Sequence, residues 1–312
     1  MSALLDVILP VFLILGFGYF AAWKGIVSTD AVDGVMKFAQ NFAIPCLLFA
    51  SMSRLELNSA FAPGLIISFY AGALGAGGLG YLLARTVFGR SPVDALSIAF
   101  VASFSNTLLL GLPITERAYG PEALAGNYAI ISVHSPLLYA IGISLMELLR
   151  AEGQGLAKLA LTRQILHAIL TQPLVIGIMA GITVNLTGLP LPGVVWNAVD
   201  MMVLAAIPAA LFGLGGVLLR YRPEGDMRTI AAVCALSLVV HPAITWALAR
   251  FGFGLGTDQI RSAVITAAMA PGVNAYLFAN MYGAAKRVAA STVLLATAAT
   301  VLTAWIWLNL LP

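Results

Sequence analysis

Ser103-Phe104-Ser105-Asn106-Thr107, running on to Gly111-Leu112-Pro113, interrupts an apolar segment near its middle. A distant stretch, Met269-Ala270-Pro271-Gly272-Val273-Asn274-Ala275, does the same in a second segment. Each gathers small, polar or helix-breaking residues around one Asn. Pro removes a backbone donor and Gly admits unusual dihedrals, so both stretches suit unwound backbone. In hydrocarbon, an amide or a freed backbone group costs several kcal/mol unless it finds a partner. Such breaks survive only against protein or a wet cavity. The two stretches are therefore expected to be broken transmembrane helices that cross near the bilayer midplane and form a solute site.

The composition around them calls for a membrane. Of 312 residues, 61% are hydrophobic and 9% charged, and the mean hydropathy is +0.97. A soluble domain carries roughly 25% charged residues. The net charge of +3 is dispersed without a Lys/Arg run, which reads as loop charge and not as a nucleic-acid surface. Cys46 and Cys234 sit in apolar spans without CxxC spacing, as buried small hydrophobes do. With three His, no HExxH and no acidic cluster, neither a metal site nor a catalytic set is expected. No enzyme and no cofactor are expected, and coupling to H⁺ or Na⁺ stays open. Residues 3–23 hold no Lys or Arg before Lys24, so they read as a retained first span and not as a cleaved leader.

A bilayer-crossing helix takes ~20 apolar residues. Stretches 3–23, 33–53, 62–88, 93–116, 121–149, 163–186, 191–219, 228–250, 259–282 and 286–311 qualify. The fold class expected is an all-α polytopic membrane protein of ten transmembrane helices. A polar loop, Ala151 to Thr162, divides it into halves 1–150 and 163–312. Shifting the numbering by 163 lays Pro10 on Pro173, Gly18 on Gly181, Pro45 on Pro208 and Leu48-Phe49 on Leu211-Phe212. A shift of 168 lays Asn106 on Asn274. Five spans per half is odd, so the second half is expected upside down, the inverted repeat of many secondary transporters. Lys and Arg favour cytoplasmic loops. With the N-terminus outside, twelve fall on the cytoplasmic side and only Arg54, Arg117, Arg250 and Arg261 on the other. Both termini are thus expected to be extracytoplasmic.

Asn106 and Asn274 lead the solute-binding candidates, with Ser103, Ser105, Thr107, Gly272, Val273 and Tyr276 beside them. A half-helix starting after each break turns a partly positive N-terminus to the midplane, which attracts a carboxylate. The alternative is that both Asn merely tie helices together. His134 and His241 are mid-span, each followed closely by proline. They read as solute ligands or proton carriers, or as neutral side chains bonded to carbonyls freed by those prolines. His167 reads as structural. Pro45 and Pro208 read as kinks in the second and seventh spans, and Pro113 and Pro271 belong to the breaks. Asp200 is an acid well inside a span, open to pairing with Lys or Arg, to an extracellular vestibule, or to a coupling proton. Gly72, Gly75, Gly77, Gly78 and Gly80 allow close helix packing. Trp305 and Trp307 fit an interfacial aromatic belt.

Asn41-Phe42-Ala43-Ile44-Pro45 with Leu48-Phe49, Ser105-Asn106-Thr107 with Gly111-Leu112-Pro113, and Ala270-Pro271-Gly272-Val273-Asn274 together resemble the auxin efflux carrier family of the bile acid/auxin transporter group. The resemblance covers essentially the whole chain. It implies a ten-helix inverted repeat with crossing helices four and nine. A scaffold from 1–56 and 163–222 and a transport domain from 57–150 and 223–312 would move by an elevator mechanism. It further implies small organic anions as substrates, auxins or malonate-type dicarboxylates, and a homodimer through the scaffold helices. The short central loop resembles the compact bacterial members, which implies the inner membrane. One departure is that Pro271 precedes its Asn whereas Pro113 follows, so the two breaks are expected to differ in shape. A cation/proton antiporter of similar fold ranks lower, because no Asp or Glu lies between Ile98 and Thr115 or between Arg261 and Lys286. An intramembrane enzyme ranks lower still.

Overall fold

The structure is a computed structural model describing residues 3–150 and 170–312. The central loop, His167 and the start of the sixth expected span lie outside the described residues. After a π-helical turn at Ala3–Ile8 come α1 (Leu9–Trp23), α2 (Thr29–Phe38), α3 (Ile44–Arg54), α4 (Pro63–Thr86) and α5 (Pro92–Ser103). Then follow α6 (Leu112–Tyr119), α7 (Ala125–Arg150), α8 (Pro173–Thr187), α9 (Gly193–Leu218) and α10 (Met227–Ala235). The last are α11 (His241–Ala247), α12 (Thr257–Ala267), α13 (Val273–Tyr282) and α14 (Lys286–Leu310). All regular structure among the described residues is helical.

Seven helices among the described residues are long and apolar enough to cross a bilayer, counting α2–α3 and α10–α11 as continuous through π turns. The expected spans 93–116 and 259–282 fall short of that length because each is split, into α5 and α6 and into α12 and α13. The π turns Ala39–Ala43, Thr107–Gly111 and Leu236–Val240 each end just before a proline in the next helix, Pro45, Pro113 or Pro242. A proline ring crowds the carbonyl four residues back and gives it no hydrogen bond. Widening the preceding turn relieves that clash without ending the helix.

The chain divides into two compact units. One comprises Pro10–Ala60 and Arg163–Arg220. Within it, glycines bring backbones together. A Cβ on Gly18 would stand 1.9 Å from the Phe212 carbonyl oxygen, and one on Gly181 would stand 2.5 Å from that of Phe49. Under the 163-residue shift, these two contacts exchange. A Cβ on Gly177 would stand 2.4 Å from the Pro45 carbonyl oxygen. The Asn185 amide donates to the carbonyls of Met52, Ser53 and Leu55 at 3.0, 3.1 and 2.8 Å. It thereby serves carbonyls that the end of α3 leaves unpaired.

Asp200 lies in this unit and meets Arg54 at 3.3 Å, both side chains about half exposed. The Arg54 guanidinium covers the Trp196 ring at 4.4 Å. An exposed pair contributes at most about 1 kcal/mol. Asp200→Asn is therefore expected to shift thermal stability by less than about 3 °C. A larger loss in a thermal melt of the purified protein would give Asp200 a further role.

The other unit comprises Met1–Leu9, Phe61–Thr162 and Tyr221–Pro312. Its glycine-rich α4 packs on α5 and α11. A Cβ on Gly72 would stand 2.8 Å from the His241 carbonyl oxygen, and one on Gly77 would stand 3.1 Å from that of Ala99. Gly78 instead faces open space. Trp307 corrects the expectation of an interfacial belt. It is buried, and its indole N–H donates to the Leu238 carbonyl at 3.0 Å. Leu238 stands four residues before Pro242, which has no N–H to give it, so a distant donor is recruited.

Candidate functional site

In the second of these units, α5 unwinds at Phe104 (φ −97°, ψ 80°) and the chain re-enters helix after Asn106 (φ −78°, ψ 67°). The partner helix α12 ends at Ala267, and α13 starts after an extended Gly272 (φ −76°, ψ 167°). The two breaks meet as a short antiparallel bridge with Ser105 opposite Pro271. The Asn106 N–H donates to the Ala270 carbonyl at 2.8 Å, and the Gly272 N–H donates to the Phe104 carbonyl at 3.1 Å. Residues flanking such a pair make the bonds, so Pro271 stands where the ladder needs no N–H from it. Backbone groups released by one break are thus satisfied by the other.

The Asn106 side-chain oxygen accepts the Leu109 N–H at 3.2 Å and caps the helix that follows. That role fixes the amide's orientation. Its oxygen is committed, and its NH₂ is left as a donor. Gly272 packs on this residue, since a Cβ there would stand 3.6 Å from Asn106 Cα and 3.7 Å from Cγ. The start of α13 has no side-chain cap. Its first-turn amides therefore retain the partial positive charge of a helix N-terminus. Asn274, in that first turn, accepts the Tyr139 hydroxyl at 3.1 Å through its backbone carbonyl. Its side-chain amide has no partner among the described residues. As the proline placement led us to expect, the two breaks differ: one is capped by an Asn and the other is open.

Ser103, Ser105 and Thr107 are all buried. Ser103 donates to the Phe100 carbonyl at 3.0 Å, and the Ser105 hydroxyl has no partner among the described residues. Val273 and Tyr276 are half-buried on α13, with the Tyr276 ring 4.8 Å from that of Tyr221. Beside Ser103 lies an apolar cavity of about 480 Å³, bounded by Leu74, Gly77, Tyr81, Phe100 and Leu138. His134 and His241 are fully enclosed in the same unit, 2% and 0% exposed. Among the described residues, no three His, Cys, Asp or Glu side chains gather as metal ligands would.

Asn127 is a member of this neighbourhood that the sequence did not single out. It is fully buried, and its amide donates to Thr115 at 3.0 Å and Thr266 at 2.8 Å. Thr115 follows the first break and Thr266 precedes the second, so one amide ties their flanks together. An Asn near a helix end reads as a cap, and only the packing shows its partners. Asn127→Leu removes two hydrogen bonds and leaves two buried hydroxyls unpaired. It is expected to destabilise by about 1–3 kcal/mol, seen as a lowered melting temperature. An unchanged melt would mean that the two threonines find other partners.

An apolar helical chain with seven membrane-length helices among its described residues, and a polar, unwound bridge between two helix breaks, is an integral membrane protein. The chain belongs to the Membrane transport protein family, whose sequence pattern matches residues 3–308. It is 22% identical over 304 residues to a Rhizobium meliloti protein named "Putative malonate transporter", covering 97% of this chain and 94% of that one. The Escherichia coli K12 "Uncharacterized transporter YfdV" is 22% identical over 303 residues, covering 96% and 95%. Auxin efflux carrier component 8 of Arabidopsis thaliana is 28% identical over 153 residues, covering 45% and 39%. The resemblance read from the Asn- and Pro-centred motifs therefore holds.

Proposed function

We propose that this protein is a secondary carrier for small organic anions, carboxylates of the malonate or auxin kind, bound where the two helix breaks meet. One observation carries the reading. Two amides with free NH₂ donors flank a bridge of unwound backbone beside the uncapped N-terminus of α13. Each of these features favours an anion. Asn106 and Asn274 would donate to the carboxylate, with the Val273 and Asn274 backbone N–H groups behind it. Ser105, Thr107 and Tyr276 would set the shape of the site. A relative named for malonate, 94% covered, supports the substrate class.

The ten-helix inverted repeat belongs to the same proposal, supported by the exchange of the Gly18–Phe212 and Gly181–Phe49 contacts under one shift. So does the elevator. The unit of Pro10–Ala60 and Arg163–Arg220 would be the scaffold and dimer contact, and the unit holding both breaks would carry the solute. Both termini would face the outside.

Proteoliposomes preloaded with unlabelled malonate or indole-3-acetate and given the labelled acid outside provide the test. Counterflow above that of protein-free vesicles is expected for at least one acid. No counterflow with any carboxylate, in protein that still melts cooperatively, would reject the proposal.

A further inference from the structure

Behind the first break lies a group of buried polar side chains of which the solute reading uses only Ser105. Among the described residues, the hydroxyls of Ser68, Ser105, Ser237 and Thr245 and both ring nitrogens of His134 and His241 have no hydrogen-bond partner. None of these six residues is more than 2% exposed. They belong together in space. The Phe69 ring lies 5.6 Å from the His134 ring and 5.1 Å from the His241 ring. A Cβ on Gly72, one turn after Ser68, would meet both the Thr245 hydroxyl and His241. Ser237, His241 and Thr245 follow one another at four-residue steps along one helix. The Ser105 and Phe69 backbones approach His134 and His241 without completing a hydrogen bond.

Leaving one buried polar group unpaired costs about 1–3 kcal/mol. Six such residues in one place point to an occupant. The group holds no carboxylate and no Lys or Arg, and neither does the buried polar set among the described residues of this unit. The titratable side chains facing the imidazoles are each other and Tyr70, 6.1 Å from His134 and bonded to the Ile130 carbonyl. Tyr139 lies beyond Phe104. His134 has three aromatic rings within reach, those of Phe104 at 4.6 Å, Phe69 and Tyr70. Such rings attract a cation at about this distance. No Lys or Arg is among the described buried residues, and these two imidazoles are the buried groups near the first break that are able to carry a positive charge.

We infer that the paired His134 and His241 imidazoles, with Ser68, Ser105, Ser237 and Thr245 around them, form a hydrated site for one proton that travels with the anion. The inference rests on the carrier reading. The proton comes from the side on which the anion is loaded, adds to a ring nitrogen of one imidazole, and leaves with the anion on the other side. A second proton is opposed by the first. By reciprocity, the anion tightens proton binding as much as the proton tightens anion binding.

The test needs no variant at first. Malonate added to the detergent-solubilised protein at pH 7, in weak buffer with a pH indicator, is expected to draw about one proton per bound anion from solution. In proteoliposomes with clamped potential and an entrapped pH dye, the ratio of protons to labelled malonate is expected to be near one. That ratio should fall at least fivefold in His134→Gln and in His241→Gln, and the rise of wild-type exchange at acid pH should flatten. Ratios are read independently of how far total flux drops in either variant. Net malonate uptake by wild type into malonate-free vesicles with no proton uptake overturns this inference and leaves the carrier reading standing. An undiminished ratio in both variants overturns it as well. Absence of any carboxylate exchange or binding by wild type sinks the carrier reading and this inference with it.

Discussion

Asn274→Ala is expected to lower carboxylate exchange by about 10- to 100-fold, the loss of one hydrogen bond to a charged group. Asn274 makes no side-chain bond within the described protein, so its removal is expected to leave the melting temperature nearly unchanged. Asn106→Ala is expected to lose exchange to the same extent and some stability too, because it caps the Leu109 N–H. Losing such a cap costs about 0.5–2 kcal/mol. Asn106→Ser separates the two roles. A serine hydroxyl restores the cap but not the NH₂ donor, so stability should return while exchange stays low. Counterflow of labelled malonate, set beside a thermal melt of each variant, provides the measurement. Near-normal exchange in both alanine variants would remove the solute from the breaks.

The second large effect concerns folding. Gly18→Ala places a methyl 1.9 Å from the Phe212 carbonyl oxygen, and Gly181→Ala places one 2.5 Å from the Phe49 carbonyl oxygen and 2.7 Å from Met52 Cβ. Both collisions are with backbone or its first side-chain atom, so no rotamer change relieves them. The helices must move apart. Overpacking of this kind costs about 1–3 kcal/mol, and a drop of about 5 °C or more in the melting temperature is expected for each variant. Gly16 and Gly34 meet nothing within 4 Å and provide controls that should tolerate alanine. If Gly18→Ala and Gly181→Ala melt like wild type, the close approach of these helices is wrong. A drop in Gly18→Ala alone would say that the two contacts, although exchanged by the repeat shift, do not carry equal weight.

The two helix breaks were legible in the sequence because their causes are local. Pro271-Gly272 and the polar run around Asn106 unwind a helix wherever they stand. Membrane-length apolar runs on either side leave a bilayer as their solvent. The split of 93–116 and 259–282 follows from those few residues. The partners of buried polar groups were less legible. Nothing in the sequence marks Asn127 as a tie between Thr115 and Thr266, the sequence position of Trp307 suits an interface although its indole serves the Leu238 carbonyl, and Asp200 is compatible with three roles of which pairing to Arg54 is the one seen. In each case at least one partner lies 69 residues away or more. The sequence shows that such a group needs a bond but not which bond it gets.

The amino-acid order alone determined the membrane class, the family motifs and the places where helices break, since solvent preference and backbone sterics act residue by residue. Tertiary structure decided that the two breaks satisfy one another across Ser105 and Pro271. It also decided that one is capped while the other is open, and that two imidazoles lie enclosed behind Phe104 without partners among the described residues. Hydrogen bonds and contacts between remote segments depend on how helices pack, and packing is a property of the whole chain and not of any stretch within it.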